Sequence, residues 1–168
     1  MGVASLKFMT SKFEIHKKLS TFLEIARALN RYNIIPVIFG SLGFYHLIDQ
    51  VLDKIGDIDI IIPNIYLTEK FNELKNILGE IGYRQDTDYP HEFTKGEDQI
   101  GFEPESDLSD IKIEINKLEP SELEGVKFKE LSLEDYLKVY KRNLATHEPK
   151  VLKIKKKIEK IKSLLAKN

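Results

Sequence analysis

The sequence predicts an α/β or α+β fold in which helices flank a mixed central β-sheet, with further helices at the C-terminus. In the first half, segments with helical apolar spacing alternate with short, continuous apolar runs that are typical of buried strands. In the middle, apolar and polar residues alternate, and the last part returns to helical spacing. At 168 residues, the chain is long enough to bury a sizeable core within one domain.

The first half is predicted to contain three helices and two strands. Ser11 and Glu14 form a Ser-x-x-Glu pattern, which predicts the start of the first helix, and this helix should end between Asn30 and Asn33. Apolar spacing predicts two more helices over 42–52 and 67–81, and continuous apolar runs predict strands over 34–39 and 57–63.

The middle of the chain is predicted to be rich in strands. The sequence Lys-Gly-Glu-Asp at 95–98 is a turn signal, so the flanking segments 91–94 and 99–103 should form a hairpin. Residues 111–116 read Ile-Lys-Ile-Glu-Ile-Asn, and this period of two predicts another strand. Further strands are expected over 83–87 and 126–130.

Two helices are predicted at the C-terminus. Ser132, with Asp135 three residues later, should cap a helix that runs to about residue 145, and Pro149 suits the first turn of a last helix. We expect an α/β domain over 1–131 and a helical extension over 132–168 that packs on the same domain.

Composition excludes several classes of protein. Without cysteine, the chain has no disulfide framework, no thiol catalysis and no thiolate metal site. No apolar run approaches the roughly 20 residues that a membrane span needs. The first residues do not resemble a signal peptide, so we expect a cytoplasmic protein without a membrane partner.

The formal net charge of −1 hides three blocks of different charge. Residues 1–83 carry 9 basic and 9 acidic residues, residues 84–135 carry 6 and 16, and residues 136–168 carry 11 and 2. The acidic and basic blocks either attract each other within the molecule or serve different partners. The Lys-rich last helix is accordingly either a capping helix with a lysine face or a surface for RNA or a protein partner.

Two aspartates, Asp57 and Asp59, stand beside a run of isoleucines. Residues two apart in a strand point to the same side, so the two carboxylates should lie together in a poor environment for charge. Either one of them is protonated, or a cation bridges them, and oxygen ligands suit Mg²⁺ or Mn²⁺. The alternative is an exposed strand start beside Gly56 with no bound cation.

Gly40 and Ser41 lie where the first predicted strand meets the second predicted helix. A glycine there lets backbone N–H groups approach an anion, and a helix N-terminus and a serine hydroxyl both favour phosphate. A phosphate cradle beside two carboxylates indicates a centre for phosphoryl or nucleotidyl transfer.

These residues resemble the signature of the DNA polymerase β-like nucleotidyltransferase superfamily, in which an apolar residue, Gly and Gly or Ser precede a helix and then Asp-x-Asp. The chain reads Phe39-Gly40-Ser41 and, later, Asp57-Ile58-Asp59-Ile60. It is most similar to the small, stand-alone members of the antibiotic nucleotidyltransferase type. The resemblance is specific over 35–85 and extends weakly over 105–145, and it implies a minimal nucleotidyltransferase fold.

The resemblance also implies roles for individual residues. Gly40, Ser41 and Lys141 would bind the phosphates of a nucleoside triphosphate. Asp57 and Asp59 would bind the divalent cations, together with a third carboxylate from a later strand, for which Glu114 is the first choice and Asp110 the second. The chain departs from the pattern in having Glu at this third position, and in having Gly56 where many members carry a basic residue.

The expected function is therefore metal-dependent transfer of a nucleoside monophosphate from a nucleoside triphosphate to a hydroxyl acceptor. The acceptor is left open between a small molecule, a protein side chain and an RNA end. One alternative is a catalytically weak nucleotide-binding or interaction protein of the same fold, such as a toxin–antitoxin component. A third is a glycosyltransferase that uses Asp-x-Asp on a nucleotide sugar.

Overall fold

The computed structural model of the protein describes residues 2–146 and 148–168. The helices of this part are α1 (Val3–Asn30), α2 (Gly40–Ile48), α3 (Phe71–Glu80), α4 (Ser106–Ser109), α5 (Leu133–Thr146) and α6 (Val151–Ala166). The strands are β1 (Val37–Phe39), β2 (Ile58–Ile62), β3 (Arg84–Gln85), β4 (Glu92–Lys95), β5 (Asp98–Pro104), β6 (Pro120–Leu123) and β7 (Val126–Lys129). Short 3₁₀ segments cover Asn64–Leu67, Ile115–Lys117 and Glu148–Lys150. Among the described helices, none has the length and apolar character needed to cross a membrane.

The seven strands form one mixed sheet in the order β3-β4-β5-β2-β1-β7-β6, which confirms the predicted α/β class. The central strand β2 pairs antiparallel with β1 and parallel with β5. Both central strands are apolar and largely buried, because α1, α2 and α5 contribute to the same hydrophobic cluster. The middle strands of the sheet, and the few polar residues on them, are therefore largely shielded from solvent.

The hairpin around residues 95–98 is confirmed, since β4 and β5 pair antiparallel with Lys95 opposite Asp98. The N-terminal cap predicted at Ser11 is wrong, because α1 already begins at Val3. The Glu14 carboxylate instead accepts a hydrogen bond from the Ile55 backbone N–H at 2.8 Å. Its role is therefore to hold the loop that precedes β2.

The strand predicted over 111–116 is also wrong. Lys112 adopts a φ of 60°, in the left-handed region, and this turns the chain out of an extended conformation. The Leu108 carbonyl accepts hydrogen bonds from the backbone N–H groups of Ile111 and Ile113 at 3.1 and 3.0 Å. These backbone N–H groups are thus hydrogen-bonded within a turn. Of the three isoleucines in the segment, Ile113 is buried, whereas Ile111 and Ile115 are half-buried.

The C-terminal helices pack on the same apolar cluster as the sheet. The predicted cap of α5 is confirmed, because the Asp135 backbone N–H donates to Ser132 Oγ at 3.1 Å and the Ser132 N–H donates to Asp135 Oδ2 at 3.4 Å. Tyr136 in α5 and Ile161 in α6 are buried members of the cluster. The boundary at residue 131 remains a prediction.

Candidate functional site

Asp59 lies in the middle of the sheet. Its strand, β2, places it directly between Phe39 of β1 and Gly101 of β5. Gly101 has no side chain, and a Cβ atom built there would stand 3.7 Å from Asp59 Oδ1. The half-buried carboxylate therefore lies beside backbone, and not beside a side chain, at this position of β5.

Gly40 brings the start of α2 against this carboxylate. Its φ is +61°, and a Cβ atom would stand 2.9 Å from the Cβ atom of Asp59 and overlap its carboxylate oxygen. No other residue fits this backbone without displacing Asp59. Gly40, at the start of α2, therefore packs closely against Asp59, and the two segments that the sequence predicts to be neighbours lie side by side.

Asp57 precedes β2 and is exposed, whereas Asp59 is half-buried. Burial first, and then the nearby charges of Asp57 and Glu92, raise the pKa of Asp59 to about 6, while Lys150 and Lys157 oppose the shift. The two aspartates therefore differ in solvation. The effect of Asp57 on Asp59 is the repulsion expected from their spacing, added to the larger effect of burial.

Glu103 is a third carboxylate at this face, and sequence reasoning missed it. It lies on β5 opposite Ile61, two residues along from the Gly101–Asp59 pair, so it points to the same side of the sheet. Burial first, and then the charges of Asp59 and Asp107, raise the pKa of Glu103 to about 7, against an opposing effect of Arg142. The sequence signal that could have identified Glu103 is its polar position in the alternating segment 99–103.

Glu114 and Asp110 do not take this position. Glu114 is exposed at the start of a 3₁₀ segment and forms an ion pair with Lys117 at 3.0 Å, because the expected strand is absent. Asp110 is exposed at the end of α4. Within residues 2–146 and 148–168, no three His, Cys, Asp or Glu side chains converge in a way that could hold a metal ion. The predicted trio of Asp57, Asp59 and Glu114 is therefore not assembled.

The lysine nearest to Gly40 and Ser41 comes from α6. Lys157 Nζ donates a hydrogen bond to Ser41 Oγ at 2.9 Å and lies 5.4 Å from the ring centre of Tyr45 and 5.0 Å from that of Tyr140. Burial lowers the pKa of Lys157 to about 8. Lys141, the predicted phosphate ligand, is exposed on α5 and does not line the cleft.

One cleft of about 430 Å³ is lined by Gly40, Ser41, Asp59, Glu103 and Lys157. Its sheet side carries Asp59 and Glu103, the start of α2 contributes Gly40 and Ser41, and the opposite side is formed by α5 and α6. Three lysines reach it from the C-terminal segment: Lys150, Lys153 and Lys157. Acidic and basic walls thus face each other across the space in front of Ser41.

No protein-family model matches the chain. Among solved structures, the antibiotic-resistance factor ANT(2″)-Ia, in its complex with adenylyl-2″-tobramycin, is similar with a TM-score of 0.54 and 19% identity, over 89% of this chain and 95% of that one. A nucleotidyltransferase-like protein from Paracoccidioides brasiliensis gives a TM-score of 0.58 and 16% identity, over 92% of this chain and 78% of that one. These similarities confirm the predicted fold.

A sequence relative extends the comparison. The uncharacterized protein YnaI of Bacillus subtilis (strain 168) is 36% identical over 130 residues, which cover 76% of this chain and 83% of YnaI. At that identity and coverage, and with the architecture described above, the chain belongs to the same family as YnaI and has a nucleotidyltransferase-like fold.

Proposed function

We propose that the protein is a metal-dependent nucleotidyltransferase that moves a nucleoside monophosphate from a nucleoside triphosphate to a hydroxyl acceptor. One observation carries the proposal: the Asp59 carboxylate packs against Gly40 at the start of α2, in a cleft that Ser41 and Glu103 also line. A phosphate cradle and carboxylates in one cleft are the parts that this reaction needs. The nucleotidyltransferase-like fold supports the same class of reaction.

The carboxylates fit a hard divalent cation. Asp57 and Asp59 offer only oxygen ligands, and Mg²⁺ or Mn²⁺ needs no more than one or two carboxylates when phosphate oxygens and water complete its shell. The raised pKa values of Asp59 and Glu103 reflect burial and repulsion that a cation would relieve. We assign Asp57 and Asp59 as its ligands, and Glu103, rather than Glu114, as the general base. When bound, the cation would supply positive charge at the triphosphate.

The protein's own residues would bind the substrate and handle the proton. Ser41 and the first N–H groups of α2 would bind phosphate oxygens, with Lys157 close by. Glu103 lies on the same face of the sheet as Asp59 and lines the cleft, so it would accept the proton of the acceptor hydroxyl as that oxygen bonds to the α-phosphorus and pyrophosphate leaves.

A cationic acceptor fits the acidic side of the cleft. Glu92 lies opposite Gly101 on β4 and adds its charge near Asp59, and Asp107 adds its charge near Glu103. Such a surface would attract amino groups on an acceptor and hold them beside the carboxylates. The adenylyl-2″-tobramycin in the ANT(2″)-Ia complex is a nucleotidylated small molecule, and a small acceptor is accordingly our first choice.

Labelled triphosphates test the proposal. Incubation with Mg²⁺, a cell extract and α-labelled or γ-labelled triphosphate should transfer label from the α position only. Replacement of Asp59 by Asn should reduce transfer to background, and Glu103→Gln should reduce it by about 10²- to 10⁴-fold. Glu97→Gln, at an exposed turn position, is the matched control and should leave transfer unchanged.

Each other result points to a different function. Transfer of the γ label alone would contradict nucleotidyl transfer and indicate a kinase-like reaction. Transfer of neither label, in an extract-wide screen with all four triphosphates, would favour a catalytically weak nucleotide-binding or interaction protein. Transfer of sugar from a labelled nucleotide sugar would favour the glycosyltransferase alternative.

A further inference from the structure

Three lysines on one side of the C-terminal segment face the cleft. Lys150, Lys153 and Lys157 are spaced by three and four residues, so in a helix they share a face. The neighbouring stripe of Ile154, Ile158 and Ile161 is buried. This apolar stripe fixes the rotation of α6, and the lysine face therefore points toward Ser41 rather than away from the molecule.

The lysines of α6 contact residues on two sides of the cleft. On the α2 side, Lys157 donates to Ser41 Oγ at 2.9 Å. On the side of the loop before β2, Lys153 forms an ion pair with Asp53 at 3.0 Å, and Lys156 donates to the Leu52 carbonyl at 2.9 Å. One helix thus bridges the start of α2 and the loop that leads to Asp57.

Lys157 is poorly compensated in this arrangement. Among the described residues, no carboxylate oxygen lies within 4.0 Å of its ammonium group, and its hydrogen-bond partner there is the neutral Ser41 hydroxyl. The two tyrosine rings shield it from water and offer only the weaker attraction of their faces. A partly desolvated ammonium group with unused donors is suited to an anion.

We propose that the lysine face formed by Lys150, at the N-cap of α6, and by Lys153 and Lys157 of α6 is a binding site for a linear polyphosphate, in which Lys157 leaves Ser41 for a phosphate oxygen while Lys150 and Lys153 contact neighbouring phosphates. The proposal rests on the proposed function, because it assigns the triphosphate chain of the nucleotide to this face. Three cations in a row match the several charges of a triphosphate better than the single charge centre of orthophosphate. The positive charge is supplied by the protein, so binding should not require a metal.

Calorimetric titration with inorganic tripolyphosphate, in the presence of EDTA, tests the proposal on the full chain. We expect the wild-type protein to bind tripolyphosphate, and to bind it more tightly than orthophosphate. Replacement of Lys157 by Met keeps the apolar stem and should weaken tripolyphosphate binding by about tenfold or more, as for loss of one charge-assisted contact. The matched control is Lys155→Met, an exposed lysine on another side of α6, which should change the affinity less than about twofold.

A second variant keeps the test independent of folding. Lys150 is exposed and lies outside the buried stripe, so Lys150→Met should fold and still weaken tripolyphosphate binding. Raising the salt concentration should weaken binding in wild type more than in either variant, because fewer counterions are displaced when a lysine is lost. Equal affinity of wild type, Lys157→Met and Lys150→Met would overturn the proposal.

The outcome is separable from that of the labelling experiment. Lysine-dependent tripolyphosphate binding without transfer of any label would retain this site and overturn the proposed function. Transfer of the α label with unchanged binding in the lysine variants would do the reverse. Lysine-dependent binding of a single-stranded RNA, with no binding of tripolyphosphate, would overturn the site in favour of an RNA surface.

Discussion

Gly40 joins the backbone of α2 to the carboxylate of Asp59. A side chain at this position would have to adopt a φ of +61° and overlap Asp59. We predict that Gly40→Ala lowers the free energy of unfolding by about 2–4 kcal/mol, from backbone strain and from the clash. Chemical denaturation in urea measures the change.

Gly79 provides the control for this substitution. It lies in α3 with no atom within 4 Å of a built Cβ atom, and its φ is not in the left-handed region. Gly79→Ala should raise the free energy of unfolding by about 0.5–1 kcal/mol. Equal effects of the two substitutions would show that Asp59 does not pack against Gly40.

Glu103 should make stability depend on pH. Its pKa in the folded protein is about 7, above the ordinary value of 4.5. The folded state therefore holds the proton more tightly than the unfolded state, and this contribution is fully present below pH 4.5 and is lost as the pH rises through 7. We predict that Glu103→Gln, which has no proton to lose, flattens this part of the stability profile.

The size of the effect follows from the shift of the Glu103 pKa from 4.5 to about 7. One pKa unit corresponds to about 1.4 kcal/mol, so Glu103→Gln should be more stable than wild type by about 3 kcal/mol at pH 8 and nearly equal to it at pH 4. Urea denaturation at several pH values measures both curves. The exposed Glu97→Gln variant should follow wild type throughout, and parallel wild-type and Glu103→Gln curves would contradict the assigned pKa.

At the scale of single elements, the hairpin shows what a local pattern can predict. The turn signal at 95–98 and the alternation on either side of it are enough to define β4 and β5. Glu103 was on the predicted strand, but its partner strand was not known. Only the parallel pairing with β2 places Glu103 on the same face as Asp59. The residues of each strand by themselves do not indicate which distant strand it will pair with.

The segment 111–116 shows the opposite case. Its alternation is that of a strand, yet a strand also needs a neighbour for its backbone groups. Here Leu108 accepts the N–H groups of Ile111 and Ile113, and the chain turns at Lys112 instead. The alternating residues therefore form a turn and not a strand. Glu114, which the alternation predicted to lie on that strand, is exposed on the surface.

The helical spacing of the last part of the chain predicted a helix there, but it did not predict the contacts that α6 makes in the cleft. Spacing identifies which residues of a helix can be buried together, and the buried residues of α6 follow it: Ile154, Ile158 and Ile161. It does not reveal which part of the fold the flanking lysines meet. Lys157 reaches Ser41 across 116 positions of sequence, so its place in the cleft depends on the whole tertiary structure.

At the scale of the whole molecule, the charge blocks do not simply pair with one another. Among the described residues, the ion pair of α6 is made with Asp53, in the neutral first block, and the one ion pair between the basic and acidic blocks joins Lys138 and Asp135, three residues apart in α5. Arg142 reaches the acidic block through the backbone carbonyl of Asp107. Much of the positive charge of the C-terminal segment is therefore directed to the cleft and to solvent.

Residues 132–168 share their buried core with the rest of the chain, so the two parts should unfold together. Ile161 is fully buried in a cluster that also contains Phe22 of α1 and Ile60 of β2. We predict that Ile161→Ala lowers the free energy of unfolding of the entire chain by about 2–4 kcal/mol, because the cavity opens in a shared core. Leu152→Ala, at a position 83% exposed, is the control and should have little effect.

Hydrogen exchange distinguishes a shared core from a detachable extension. If the helices and the sheet unfold as one unit, Ile161→Ala will speed the exchange of the slowest β2 amides, such as that of Ile60, as much as it speeds exchange in α6. If α6 exchanges faster while β2 keeps its wild-type protection, the extension opens by itself. In that event, the lysines that line the cleft would leave with α6, and the polyphosphate site would exist only while the helix is docked.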